Sequence, residues 1–182
     1  MKLMAVIAVL LIHAVFIHGQ QQPPTKVKDY FLLLPERFFY IESCDRKSDV
    51  GCRRAKLDFL KQFLAVEDNT NAYLEANGDG SQESIKMTLF SRPNASPLIG
   101  LNVYGEWGGK YYFLVFSKGK WIDVSRQLVP LYRKSNVYKI PRYGTTVAVF
   151  EREQYDSNIQ QGLEGKQLYS LKWRKGRFHI VK

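Results

Sequence analysis

Two stretches of the chain share a plan that antiparallel pairing satisfies. Residues 112–125 read YFLVFSKGKWIDVS and residues 169–182 read YSLKWRKGRFHIVK. In each, an aromatic-rich run leads into Lys-Gly and leaves through a second aromatic residue. Glycine there supplies the positive φ that a two-residue hairpin turn needs. With turns at Lys118-Gly119 and Lys175-Gly176, Phe116 faces Trp121 and Trp173 faces Phe178. Such cross-strand aromatic pairs are worth roughly 0.2 to 1 kcal/mol over alanine. Counting back by two puts Leu114 and Tyr112 on the face of Phe116, and Leu171 and Tyr169 on the face of Trp173. The spacing predicts twin hairpins that fill one common apolar interior, each belonging to one of two related halves of a sheet.

The opposite faces of the two hairpins diverge. Ser170, Lys172 and Arg174 form a solvated side, whereas Tyr111, Phe113 and Val115 are apolar. A second apolar face is either covered by another layer or offered as a sticky surface. The expected cover is the N-terminal helices, which carry Phe59, Phe63 and Leu64. The competing reading is a protein-docking or inhibitor module that uses Tyr111 and Phe113.

Elsewhere the periods separate helix from strand. Residues 53–66 place Leu57, Leu60 and Leu64, with Phe59 and Phe63, on one broad helical face, and Ser48 or Asp49 is placed to cap its start. Pro35, welcome in a first turn and disruptive inside a helix, predicts the start of a short helical segment. Ile85, Met87 and Leu89 alternate with polar neighbours, as do Ile99, Leu101 and Val103, with a turn over 91–97. Further strands are expected at 138–140 and 144–150, and a brief helix or loop at 127–135. The fold class is therefore α+β: N-terminal helices packed on a mainly antiparallel sheet of eight or so strands, built from two related hairpin-containing halves. A single domain over 27–182 is expected, with a helical part at 27–67 and β halves at 68–125 and 126–182.

The N-terminus speaks to location. Lys2, an apolar run over 3–17 and the small Gly19 compose a secretory signal over 1–19. The polar, proline-bearing QQQPPT then opens a linker at 20–26. The run is shorter than the roughly 20 apolar residues of a membrane span. A secreted or periplasmic protein is expected, with no transmembrane anchor after signal removal. In that compartment Cys44 and Cys52 are expected to form a disulfide. By loop-closure entropy it contributes about 2 to 3 kcal/mol.

Charge is unevenly spread. Residues 20–125 hold 14 Lys/Arg against 13 Asp/Glu, and residues 126–182 hold 12 against 4. A one-sided excess builds a local positive potential that draws anionic partners. Lys172, Arg174, Lys175 and Arg177 surround the second turn, and Arg142 and Arg152 on neighbouring strands are expected to extend the strip. The arginine fork suits phosphate or carboxylate groups. Nucleic acid fits the charge but not export, which leaves an anionic polymer or an acidic protein.

The catalytic inventory is thin. After the signal the chain keeps one histidine, His179, with no nucleophile motif to pair with it. Glu151, Glu153 and Asp156 are the carboxylates that a hydrolase reading would use. The segment 75–86 resembles a calcium loop, with Glu75, Asn77, Asp79 and Gly80 at its first, third, fifth and sixth places. Its twelfth place, where a bidentate glutamate belongs, is Lys86. No cofactor or metal is expected, and binding without catalysis is the function expected.

Overall fold

A computed structural model describes residues 24–44, 49–106, 108–153 and 164–181. The signal sequence expected at 1–19, most of the expected linker, Ser48 and Asp156 lie outside the described residues. In chain order the elements are α1 (Val27–Leu33), α2 (Asp49–Phe63), β1 (Leu64–Asp68), β2 (Tyr73–Ala76), β3 (Ser84–Arg92), β4 (Ala95–Gly105), β5 (Gly108–Ser117) and β6 (Lys120–Asp123), followed by α3 (Ser125–Leu128), β7 (Val137–Lys139), β8 (Thr146–Arg152), β9 (Glu164–Arg174) and β10 (Arg177–Val181).

The strands make two antiparallel sheets, not one. β1 to β6 run as a six-stranded meander in sequence order, and the second sheet has four strands in the order β10-β9-β8-β7. Both hairpin registers follow the turn chemistry. Phe116 opposes Trp121 and Trp173 opposes Phe178, with ring centroids 5.2 and 4.9 Å apart. The common interior does not form, because the two pairs lie in different cores. Phe116 and Trp121 pack with the N-terminal helices, whereas Trp173 and Phe178 pack between the sheets.

Period-two alternation lets the six-stranded sheet serve both cores. Tyr112, Leu114 and Phe116 of β5 turn toward α1 and α2, among Phe31, Phe39 and Phe59. Tyr111, Phe113 and Val115 turn the other way and are 5 %, 1 % and 8 % exposed. Their cover is the second sheet rather than the helices. Phe113 stands edge-on to Tyr138 at 5.8 Å and to Phe178 at 5.3 Å. The docking face read from Tyr111 and Phe113 is thereby corrected. It is the interior of a sheet-on-sheet layer, which the chain needs because the helices occupy only one side of the meander.

Crowding from Ile140, just past β7, and from the neighbouring strand β3 explains Gly100. A Cβ there would stand 3.0 to 3.2 Å from Ile140, Phe90 and Thr88. Polar bolts cross the same layer. Trp173 Nε1 donates to the Ser91 carbonyl at 2.8 Å, and buried Asn102 donates to the Tyr138 carbonyl at 2.8 Å.

On the helical side, Trp121 Nε1 donates to the Leu33 carbonyl at 2.9 Å. The buried Lys56 ammonium donates to the carbonyls of Leu32 and Leu34. A cation at the end of α1 satisfies carbonyls that have no helical partner. Cys44 and Cys52 are disulfide-bonded, their Cα atoms 4.4 Å apart, and tie α2 to the segment before it.

Several boundaries differ from expectation. Helix α1 precedes Pro35, which accepts from the Phe38 amide in a turn, because the residue before a proline disfavours helical backbone. Helix α2 stops at Phe63, and Leu64–Asp68 is strand β1, since pairing with β2 outweighs one more helical turn. The turn expected over 91–97 contracts to Pro93-Asn94, where Asn94 tolerates a φ of 52°. Among the described residues no helix is long and apolar enough to cross a membrane.

Candidate functional site

The outer face of the second sheet is built by register. β9 alternates, so Leu171 and Trp173 point into the core while Ser170, Lys172 and Arg174 point away. Pairing with β10 sets Arg177 directly opposite Arg174, and His179 opposite Lys172. On the other flank Lys172 is matched with Thr146 of β8, and Lys139 of β7 with Ala148. The tip is Lys175-Gly176, with φ of 51° and 80°. Arg174, Lys175, Arg177 and His179 are exposed and Lys172 is half-buried.

Electrostatically this face is uncompensated near the tip. Lys139 pairs with Glu164 at 3.2 Å. Among the described residues no carboxylate pairs with Lys172, Arg174, Lys175 or Arg177. Like charges set directly opposite one another destabilise a strand pair. Arg174 and Arg177 nevertheless stand opposite one another in the register, both exposed.

Two of the arginines expected in the strip are held elsewhere. Arg142 Nε donates to Asp68 Oδ2 at 3.1 Å, which binds the β7–β8 connection to β1 of the first sheet. Hydrogen bonds from Asn71, and then from Arg142, hold the Asp68 carboxyl below its ordinary range. Arg152 Nη2 donates to the Gly109 carbonyl at 2.8 Å, with the guanidinium over the Tyr111 ring at 5.6 Å. Both follow from side-chain reach across the layer, which strand order along the chain does not reveal. His179 and Lys139 join the face instead. His179 was legible, because once the turn is set at Lys175-Gly176 it faces Lys172.

The remaining candidates separate. Glu75 is engaged by Lys86 at 3.2 Å and by the Tyr73 hydroxyl at 2.8 Å. Asp79 accepts from the Gln82 amide at 3.0 Å and from the Ser81 hydroxyl at 2.8 Å, which in that order hold its carboxyl below the ordinary range, and also from the Ser81 amide. Glu75 and Asp79, at the first and fifth places of the calcium-like loop, are each spent on local structure. Glu151 and Glu153 are exposed near the end of β8. A cleft of about 450 Å³ between the β2–β3 loop and the β4–β5 tip is lined by Glu83, Glu106, Lys110 and Arg152, and Lys110 neutralises Glu83 at 2.9 Å. Neither a protein-family model, nor a curated protein, nor a solved structure matches this chain.

Proposed function

We propose that this is an exported, non-catalytic binding protein whose β9–β10 face holds an anionic polymer of the cell envelope or exterior. The observation that carries the reading is the direct opposition of Arg174 and Arg177, continued by Lys172 and Lys175, with no paired carboxylate among the described residues. A bound phosphate, sulfate or carboxylate would relieve the repulsion and accept from both planar forks. The signal-like segment at 1–19 and the Cys44–Cys52 disulfide support export. The same reading takes the two hairpins as copies of one ancestral unit, supported by matched Lys-Gly turns and matched aromatic pairs.

Retention on immobilised heparin, used as a polyanion probe, tests the assignment. Wild type should elute at progressively lower occupancy as salt rises, because screening acts first on exposed charge. K172E/R174E should elute much earlier. Arg142→Gln and Arg152→Gln should elute close to wild type, since their guanidiniums are held by Asp68 and Gly109. Retention indifferent to salt, or lost equally in all three variants, would remove this face as the binding surface.

A further inference from the structure

Five described residues other than glycine have positive φ: Ala72, Asn94, Lys118, Leu131 and Lys175. Four of them sit in the tight connections of hairpins. Leu131, with φ of 56°, does not. It follows Pro130 in a turn closed by the Tyr132 amide on the Val129 carbonyl at 3.3 Å. That is the arrangement of a type II turn, whose third position calls for glycine or asparagine. The chain obeys the rule after Pro93, where the residue is Asn94, and breaks it after Pro130 with leucine.

The exception gains nothing from burial, since Leu131 is 66 % exposed. The turn is nevertheless heavily braced. The Tyr169 hydroxyl donates to the Leu131 carbonyl at 3.2 Å, and the Tyr138 hydroxyl accepts from the Arg133 amide at 2.8 Å. The Tyr132 ring stacks on Tyr138 at 5.2 Å, and its hydroxyl donates to the Tyr111 carbonyl at 3.0 Å. A left-handed leucine held in place by its surroundings and pointing into water is a strained element whose side chain adds nothing to either core.

Its setting is cationic. Arg126, Arg133 and Lys134 are exposed around the turn, and residues 124–150 contain five Lys/Arg and no Asp or Glu. The nearest acid before the turn, Asp123, accepts from the Ser125 hydroxyl at 2.6 Å and from the Ser125 amide at 2.9 Å. A fixed apolar prong inside a basic collar is complementary to the headgroup boundary of an anionic bilayer, where apolar tips sink while cations meet lipid phosphate.

We propose that the 129–132 turn is an interfacial membrane anchor, inserting Leu131 into anionic lipid with Arg133 and Lys134 at the phosphate level. This goes beyond the polymer-binding face. Tyr169, which braces the turn, lies five residues along β9 from Arg174, roughly 17 Å away at strand rise.

The test is co-sedimentation of the full chain, after signal removal, with vesicles of phosphatidylcholine alone or mixed with phosphatidylglycerol. Binding should require phosphatidylglycerol. Leu131→Asn should weaken partitioning about tenfold, as loss of one inserted leucine implies, while melting at the wild-type temperature or above. R133E/K134E should weaken it further. Wild-type binding by Leu131→Asn would mean charge adsorption alone, and no vesicle binding by wild type would leave the leucine to a protein partner or to none. Either result overturns the anchor. Heparin retention of Leu131→Asn stays at the wild-type value if the polymer face is real, so failure of one reading is separable from failure of the other.

Discussion

The β5–β6 and β9–β10 hairpins begin from the same local plan and end in opposite circumstances. Both turn through Lys-Gly at positive φ, and both set an aromatic pair beside the turn. The outward face of β5 is then sealed by a second sheet, while the outward face of β9 stays in water. The difference teaches that a hairpin's turn and first cross-strand pair are local properties. The fate of its second face belongs to the layer count of the molecule. Tyr111, Phe113 and Val115 record that β5 lies between two layers, and Lys172 and Arg174 record that β9 lies under one.

Substitutions break or sharpen this contrast. The largest effect is expected from Phe113→Asp, which places a charge between Tyr138 and Phe178. Loss of the ring alone costs about 3 to 5 kcal/mol, and burial of an unpaired carboxylate adds to it. Urea unfolding should find the variant largely unfolded in water, and a wild-type midpoint would disprove that the face is covered.

Next come Trp121→Ala and Trp173→Ala, made in parallel. Each should lower stability by about 3 to 5 kcal/mol through its own core. Because each indole N–H bridges layers, to Leu33 in one case and to Ser91 in the other, the losses should be similar despite the different neighbours. A Trp173 variant with no measurable loss would mean that the second sheet does not rest on the first.

Opening the disulfide acts on the helical layer alone. Cys44→Ser with Cys52→Ser should reduce unfolding free energy by about 2 to 3 kcal/mol. If near-ultraviolet dichroism of both tryptophan environments still disappears in one transition, the two cores melt as a unit.

Gly100→Ala probes the packing of Ile140 and of β3 around β4. With three side chains at 3.0 to 3.2 Å from the added methyl, a loss of about 1 to 3 kcal/mol is expected by calorimetry. A gain would show that these neighbours yield to the methyl at no expense.

The smallest effect has the opposite sign. Arg177→Glu replaces a like-charge pair with an attractive one and should stabilise by a few tenths of a kcal/mol. The same substitution should weaken heparin retention. Stabilisation together with unchanged retention would show that the arginine pair guards the edge of β10 against strand addition and binds nothing.

Much of the fold was legible, and for a common reason. Glycine at a turn, alternation along a strand and the spacing of Leu57, Leu60 and Phe59 on a helix act within one element, so nearby residues suffice. The site was legible in part. Arg174, Lys175 and Arg177 belong to one hairpin, and the turn alone places them together. Charge alone places Arg142 and Arg152 in the strip, yet their partners, Asp68 and the Gly109 carbonyl, come from the other sheet. Strand β1 is hidden in the sequence because Leu64 and Val66 continue the helical pattern, and only its pairing with β2 marks the change.

By itself the sequence determined the hairpin turns, the cross-strand pairs of Phe116 with Trp121 and Trp173 with Phe178, the helix over most of α2 and the concentration of positive charge in the last third. These rest on backbone sterics and short-range periodicity. The tertiary structure alone decided that there are two sheets and two cores, that Phe113 is interior, and that Arg142 and Arg152 leave the basic face. Burial and ion pairing depend on which distant segment comes to lie opposite, and no local pattern carries that information.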